Sequence, residues 1–282
     1  FMLIPLDKPL DLASTLESGQ AHRWQREGQW YYAVIFNNLV QIRQDPLGLE
    51  FYCSPESEER LSPLLKDYLR LEDNLDEIYR QIGKDQHIAQ AIAKYRGMRL
   101  LRQDPWECLI SFICSANSNI PRIAATMEII SEHLGHPLTL NDHIRYTFPT
   151  PHSLAEAGEQ RLRELRLGFR AKYVAHAAKV VAEGRVDLLA LRKVPYKEAK
   201  EVLMSFPGIG EKVADCVLAF SLDKMEAFPI DRWVRRALAE WYLDDKRLSY
   251  PKLQEWAVEY FGHYASYAQQ YLFHERRLQD KP

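Results

Sequence analysis

Lys212 opens an apolar-periodic stretch directly after Phe206-Pro207-Gly208-Ile209-Gly210-Glu211. Pro207 cannot continue a helix ending near Ser205, and the two glycines permit a tight backbone reversal. A new helix from about Glu211 leaves the amides of Gly208, Ile209 and Gly210 bare at its N-terminus. There unpaired donors and the helix dipole favour an anion. Lys212, in the first turn where the dipole disfavours further positive charge, is placed to act as an amine nucleophile. Cys216 lies one helical turn on and shares its face. Farther along, Pro229-Ile230-Asp231 brings up a carboxylate after an apolar helix and a short loop. An amine with a nearby carboxylate is the pair needed to attack a sugar carbon while positive charge develops on it. Each residue also has an ordinary role: Lys212 as a solvated side chain or phosphate contact, Asp231 as the N-cap of the helical run Arg232–Tyr242. For Asp231 the two roles are compatible.

These residues must be carried by helices, and the chain supplies them. Its first 55 residues read as strands: Gln29–Phe36 and Leu39–Arg43 are rich in Trp, Tyr, Val and Ile, with Asn37-Asn38 as the hairpin turn and Leu49–Cys53 as a further strand. From about residue 57 onward apolar residues recur at helical spacing, as in Arg60–Arg70, Gln86–Tyr95, Trp106–Ala116 and Arg122–His133, and helix is expected throughout. Pro105, Pro121, Pro195 and Pro251 suit first-turn positions. The expected architecture is α+β: an N-terminal antiparallel sheet domain with flanking helices over residues 1–95, packed on a helical domain over 96–282. The helices of 57–95 are available to either. The sequence has 282 residues, enough at roughly 150 per domain for two domains. Four cysteines (Cys53, Cys108, Cys114, Cys216) stand far apart with no C-x-x-C pair, which argues against a disulfide framework, a zinc site or an iron–sulfur cluster. No apolar run approaches the roughly 20 residues of a membrane helix and no basic-then-apolar leader opens the sequence, so a protein that is neither membrane-bound nor secreted is expected.

The helix–Pro-Gly-Ile-Gly–helix block is a helix-hairpin-helix, a module suited to a DNA phosphate. Together with Lys212-Val213-Ala214-Asp215-Cys216 and the later Pro229-Ile230-Asp231, it resembles the helix-hairpin-helix DNA glycosylase superfamily, more specifically the 8-oxoguanine DNA glycosylase/AP lyases. Further blocks in the same order carry the resemblance: S-G-Q-A-H-R-W at 18–24, R-L-L-R-Q-D-P-W-E-C-L-I-S-F-I-C-S-A-N at 99–117, L-G-F-R-A-K-Y-V at 167–174 and Y-A-S-Y-A-Q-Q-Y-L-F at 264–273.

The resemblance implies a sheet of TATA-binding-protein-like topology on a two-part helical body. It also implies a reaction on duplex DNA carrying 8-oxoguanine opposite cytosine, with the damaged base flipped out of the stack. Lys212 would attack C1′ and expel the base through a Schiff base, and β-elimination would nick the strand. Asp231 would stabilise the charge developing on the sugar. Gln269 and Phe273, one turn apart, would read the Watson–Crick edge and cover one face of the base, with Cys216 against the other. The carbonyl of Gly19 would select the N7–H that oxidation creates. Asn117, Arg122 and Arg170 would fill the gap and bond the orphan cytosine, with Phe169 as wedge. Gly208, Ile209, Gly210 and Trp233 would hold the backbone. No metal and no cofactor are called for, beyond a structural cation that the hairpin carbonyls leave room for. A monomer is expected, in the cytoplasm or nucleoid of a prokaryote or the nucleus of a eukaryote.

Two positions depart from the pattern. Trp233 stands near where the family's eukaryotic members typically have a phosphate-gripping histidine, and His22 replaces an aromatic residue. An adenine-mismatch or alkylated-base glycosylase of the same superfamily, or a non-catalytic helix-hairpin-helix DNA-binding module, would share part of the signature. Lys212 argues against a monofunctional alkylbase enzyme, and the missing cluster cysteines weaken the usual mismatch enzyme. Charge sharpens the picture. Lys and Arg number 37 against 39 Asp and Glu, a net −2 that by itself disfavours an indiscriminate nucleic-acid coat. Yet residues 50–85 hold 10 acidic and 5 basic side chains, and residues 161–215 hold 12 basic and 7 acidic, so one face is expected to meet the DNA.

Overall fold

In the computed structural model, residues 1–244 and 246–279 are described. The chain begins with β1 (Met2–Ile4) and α1 (Leu12–Glu17), then β2 (Gln25–Glu27), β3 (Trp30–Ile35), β4 (Asn38–Asp45) and β5 (Gly48–Ser54). Helices α2 (Glu58–Tyr68), α3 (Leu75–Ile82), α4 (Gln86–Lys94), α5 (Pro105–Cys114) and α6 (Ile120–Leu134) follow. A small hairpin, β6 (Pro137–Leu140) and β7 (His143–Tyr146), precedes α7 (Pro151–Glu164), α8 (Ala171–Ala182), α9 (Tyr196–Met204) and α10 (Glu211–Ser221). The chain closes on α11 (Arg232–Trp241), α12 (Tyr250–Phe261) and α13 (Ala265–Gln279).

The first five strands form one antiparallel sheet in the order β1-β5-β4-β3-β2. The turn between β3 and β4 lies at Phe36-Asn37, one residue earlier than the expected Asn37-Asn38. Both turn residues take positive φ, 50° and 57°, as a two-residue hairpin requires. Asn38 is used inside the strand instead: its amide donates to the Phe36 carbonyl and its oxygen accepts from the Glu56 amide, both at 2.8 Å.

The expectation of helix throughout after residue 57 is corrected by β6 and β7. Strands of four residues are too short to show a period of two, and tertiary contacts hold them. Arg145 of β7 reaches Glu128 of α6 at 2.7 Å and the Arg23 carbonyl at 3.0 Å. Pro105, Pro121 and Pro251 sit in first turns as expected, whereas Pro195 is the residue that caps α9.

Two buried apolar clusters divide the molecule. The sheet cluster joins Val40, Ile42, Leu49 and Phe51 to Leu61 and Leu65 of α2. The helical cluster takes in Ile78, Ile82 and Ile88 of α3 and α4 and continues through α10 to Leu272 of α13. Helices of the 57–95 segment are thus shared between the two.

The seam between the clusters is polar and held by hydrogen bonds. Buried Arg99 donates to the carbonyls of Pro9, Arg70 and Asp73, and the Arg99 amide donates to Thr15 Oγ1 at 3.0 Å. Buried Gln20 donates to the Arg99 carbonyl and accepts from the Leu101 amide, both at 2.8 Å. The loop Ser18-Gly19-Gln20 is thereby fastened to the strand-like segment leading into α5. No helix among the described residues is long and apolar enough to cross a membrane.

Candidate active site

The hairpin between α9 and α10 is built as its composition dictates. Gly208 has φ +83°, and a Cβ there would lie 2.5 Å from the ring of Tyr173. Gly210 has no atom within 4 Å of its would-be Cβ and caps α10 without any side-chain hydrogen bond. The Ile209 amide donates to the Phe206 carbonyl at 3.2 Å, and its side chain is buried. The donors left for an anion are therefore the amides of Gly208, Gly210 and the first turn of α10.

Lys212 extends from α10 into a cleft of about 900 Å³. Its Nζ lies 3.4 Å from Ser115 Oγ and 5.5 Å from the centre of the Phe112 ring. Asp231 reaches the same cleft from the start of α11 and also caps that helix, Oδ1 accepting from the amides of Trp233 and Val234 at 2.9 Å each. Burial pushes its carboxyl above the ordinary range, opposed by those two amides and by Lys212. The capping role and the cleft position hold together.

Cys216 lies one turn beyond Lys212, buried, with its thiol pushed up to about 12 by burial despite the lysine. It is a neutral, apolar wall of the cleft. On the far side α13 presents Gln269 and Phe273. Gln269 is 4% exposed, and its Oε1 has no hydrogen-bond partner although it is buried. A buried acceptor without a partner is rare in a folded protein. Gly19 lies against Phe273: a Cβ at Gly19 would sit 2.8 Å from Ile120 Cδ1 and 3.3 Å from Phe273 Cε1, and φ is +78°. Its carbonyl receives no hydrogen bond among the described residues.

His22, the other departure, is a neutral imidazole. Burial, then Lys212, lowers it to about 3, and its Nδ1 pairs with Ser111 Oγ at 2.5 Å. It meets Phe112 edge-on, so it packs the floor of the cleft as an aromatic residue would. Trp233 also lines the cleft, with the guanidinium groups of Arg232 and Arg236 at 4.5 and 5.6 Å from its ring centre. Positive charge absent from position 233 is present on its neighbours.

Of the predicted gap-filling residues, Asn117 lines the cleft, while Arg122, Phe169 and Arg170 lie outside its lining. Arg170 donates to the carbonyls of Ala116 and Asn117, at 2.8 and 3.0 Å, and so holds the loop at the cleft mouth. Its guanidinium also lies 4.5 Å from the ring centre of Phe169, which is 45% exposed. Arg122 makes no side-chain hydrogen bond or ion pair among the described residues. Asp215 lies outside the cleft lining: fully buried, it accepts from Tyr196, Lys200 and Tyr250.

Several cleft residues carry no local signal in the sequence. Phe112 and Ser115, beneath Lys212, belong to an apolar helix whose period marks only a core. Arg277, one turn past Phe273, is drawn in by its bond to the Glu17 carbonyl at 2.8 Å. Arg232, Arg235, Arg236, Lys246 and Arg247 line a second hollow beside α11, beyond the basic segment picked out by charge counting. No group of three or more His, Cys, Asp or Glu suited to a metal occurs among the described residues.

Comparisons with known proteins point to one family. Residues 3–109 match the family described as the 8-oxoguanine DNA glycosylase N-terminal domain, and residues 110–261 match the HhH-GPD superfamily of base excision DNA repair proteins. The N-glycosylase/DNA lyase of Arabidopsis thaliana is 35% identical over 94% of this chain and 76% of its own length. A probable N-glycosylase/DNA lyase of Methanothermobacter thermautotrophicus is 29% identical over 98% of this chain and 96% of its own. The Clostridium acetobutylicum 8-oxoguanine glycosylase/lyase, solved with double-stranded DNA containing cytosine opposite 8-oxoguanine, superimposes with a TM-score of 0.92. It is 31% identical, and the match covers 100% of this chain and 99% of that one. The sheet, the helical body and the sequence matches over nearly the whole length lead to one assignment: the chain belongs to the 8-oxoguanine DNA glycosylases of the HhH-GPD superfamily.

Proposed function

We propose that this protein excises 8-oxoguanine from duplex DNA and nicks the strand, with Lys212 as nucleophile and Asp231 as its electrostatic partner. The observation that carries this reading is the convergence of Lys212 from α10, Asp231 from α11 and Gln269 and Phe273 from α13 on one cleft, with Lys212 in the first turn after the Gly208–Gly210 hairpin. The Lys212 amine forms a bond to C1′ as the C1′–N9 bond breaks, the base leaving with the electron pair. Ring opening gives an imine, and loss of the 2′ proton then expels the 3′-phosphate. The carboxylate of Asp231 faces the cation that develops on the sugar, in a buried setting where that interaction is strong.

The base is held between Phe273 and Cys216. Gln269 Oε1 accepts from its Watson–Crick edge, and the bare Gly19 carbonyl accepts from N7–H. Unmodified guanine would turn an acceptor toward that carbonyl, a mismatch that selects against it. Phosphates rest on the amides at Gly208 and Gly210, with Arg232 and Trp233 alongside. Asn117, Arg122 and Arg170 meet the orphan cytosine and Phe169 wedges the opposite strand. The protein works as a monomer, without metal or cofactor, in whichever compartment holds the DNA.

Borohydride trapping tests the reading. Incubation with an 8-oxoguanine:cytosine duplex and borohydride should give a covalent adduct that Lys212→Gln abolishes. A superfamily member of another specificity would trap on a different lesion, and a binding module would trap on none. Replacing cytosine by each other base should weaken excision, and Arg122→Ala and Arg170→Ala should flatten that preference. Persistence of the preference in both variants overturns the orphan-base assignment.

A further inference from the structure

Gly19, in the loop Ser18-Gly19-Gln20, lines the cleft, yet glycine is the residue least able to hold its own backbone in place. The structure supplies the restraint from outside. Buried Gln270 of α13 donates through Nε2 to the Ser18 carbonyl at 2.8 Å. On the other side of the glycine, Gln103 donates through Nε2 to the Gln20 carbonyl at 2.6 Å. Gln20 itself is fully buried, and its carboxamide is spent on the Arg99 carbonyl and the Leu101 amide. The carbonyls on both sides of Gly19 are thus bonded, and the one between them is not.

Gln270 follows Gln269 directly, so the residue that faces the base edge and the residue that holds the loop sit side by side on α13. This couples two parts of the cleft wall through one helix. Their registers cannot drift independently, because any rotation of α13 that moves Gln269 also moves the anchor of Gly19.

We infer that Gln270 is a positioning residue for base selection: its carboxamide, with that of Gln103 opposite, clamps the carbonyls flanking Gly19 and aims the Gly19 carbonyl at N7 of the bound purine. The inference rests on the proposed reading of 8-oxoguanine by Gly19 and adds the element that makes that reading stringent. Without the clamp the Gly19–Gln20 peptide can rotate, the acceptor is no longer fixed, and both the reward for N7–H and the penalty for a bare N7 shrink.

Gln270→Met keeps the volume and removes the donor, with Gln270→Ala as a second variant. Two quantities are read in each. In the Lys212→Gln background, affinity is compared for duplexes carrying 8-oxoguanine:cytosine and guanine:cytosine. With Lys212 present, the rate of 8-oxoguanine release is compared with the rate of β-elimination at a preformed abasic site, where no base is read. The expected result is a fall of about tenfold in the affinity ratio, the scale of one lost buried hydrogen bond. A matching fall is expected in base release relative to abasic-site elimination. A uniform loss on every duplex, abasic DNA included, would mean that Gln270 only supports the fold, and overturns the inference. An unchanged ratio in both variants overturns it too. Failure of the underlying reading looks different: the protein with Gln270 intact would then show no preference for 8-oxoguanine over guanine.

Discussion

The hydroxyl of Tyr250 donates to the buried carboxylate of Asp215 at 2.7 Å and accepts from the Ile230 amide at 3.2 Å. One side chain from α12 thus ties the helix that carries Lys212 to the segment that carries Asp231. Asp215 is itself saturated, taking Tyr196 at 2.6 Å and Lys200 at 3.1 Å. Its part is to fix the spacing of nucleophile and carboxylate, and a second acid is not needed to explain its burial.

Tyr250→Phe should therefore slow base excision by about tenfold, as expected when catalytic groups lose alignment. Affinity for 8-oxoguanine duplexes should stay within about twofold, since the hydroxyl lies behind the cleft wall and meets no DNA. Single-turnover kinetics beside equilibrium titration would check this. A parallel loss of rate and affinity would show that the network only supports the fold.

Asp231 is held above the ordinary carboxyl range, first by burial. Because its folded pKa is raised, its relative contribution to stability is greatest at low pH and is lost as pH rises through that value. Asp231→Asn keeps an acceptor for the Trp233 and Val234 amides and removes the buried charge. Thermal melts should show the variant at least as stable as the native chain near neutral pH, with the difference closing as acid protonates the native carboxyl. Excision should fall by about a hundredfold or more. A variant that melts lower at neutral pH would contradict the desolvation argument.

Two hairpin glycines should behave differently. Gly208→Ala places a methyl 2.5 Å from the Tyr173 ring at φ +83°, and should lower stability by about 1–3 kcal/mol together with DNA affinity. Gly210→Ala meets open space and normal φ, so its melting temperature should hold while the methyl obstructs an approaching phosphate. Melting curves and salt-dependent titrations on undamaged duplex separate the two. Equal affinity in native and Gly210→Ala chains would remove this hairpin as the phosphate site.

Gln269 buries an acceptor with no partner. Gln269→Met fills the same volume and relieves the desolvated oxygen, so the free protein should be unchanged or stabilised by about 1 kcal/mol. Excision of 8-oxoguanine should fall by at least about tenfold in the same variant. Chemical denaturation and single-turnover assays give the two numbers. A destabilised variant would indicate that the oxygen already has a partner in solution.

The sequence by itself determined whatever rests on local backbone chemistry or on motif. Proline and glycine restrict or free φ wherever they stand, so Pro207, Gly208 and Gly210 announced the hairpin, and the helical register of Lys212, Cys216, Gln269 and Phe273 followed from spacing. The tertiary structure decided what rests on who else is near. It moved the β-turn to Phe36-Asn37 because Asn38 was wanted by the Glu56 amide, and it formed β6 and β7 from strands too short to signal themselves. It bonded Arg170 to the loop at Asn117, made His22 a neutral packing residue, and brought Ser115 and Phe112 under Lys212. Desolvation lifts Asp231 and leaves Gln269 unpaired, and Gly19 is crowded by Ile120 and Phe273 from distant parts of the chain. Burial and long-range contact are sums over the packed molecule, and no local stretch of residues contains them. The same reason explains the charge: a net −2 is fixed by composition, but which cations flank the cleft is settled by the fold.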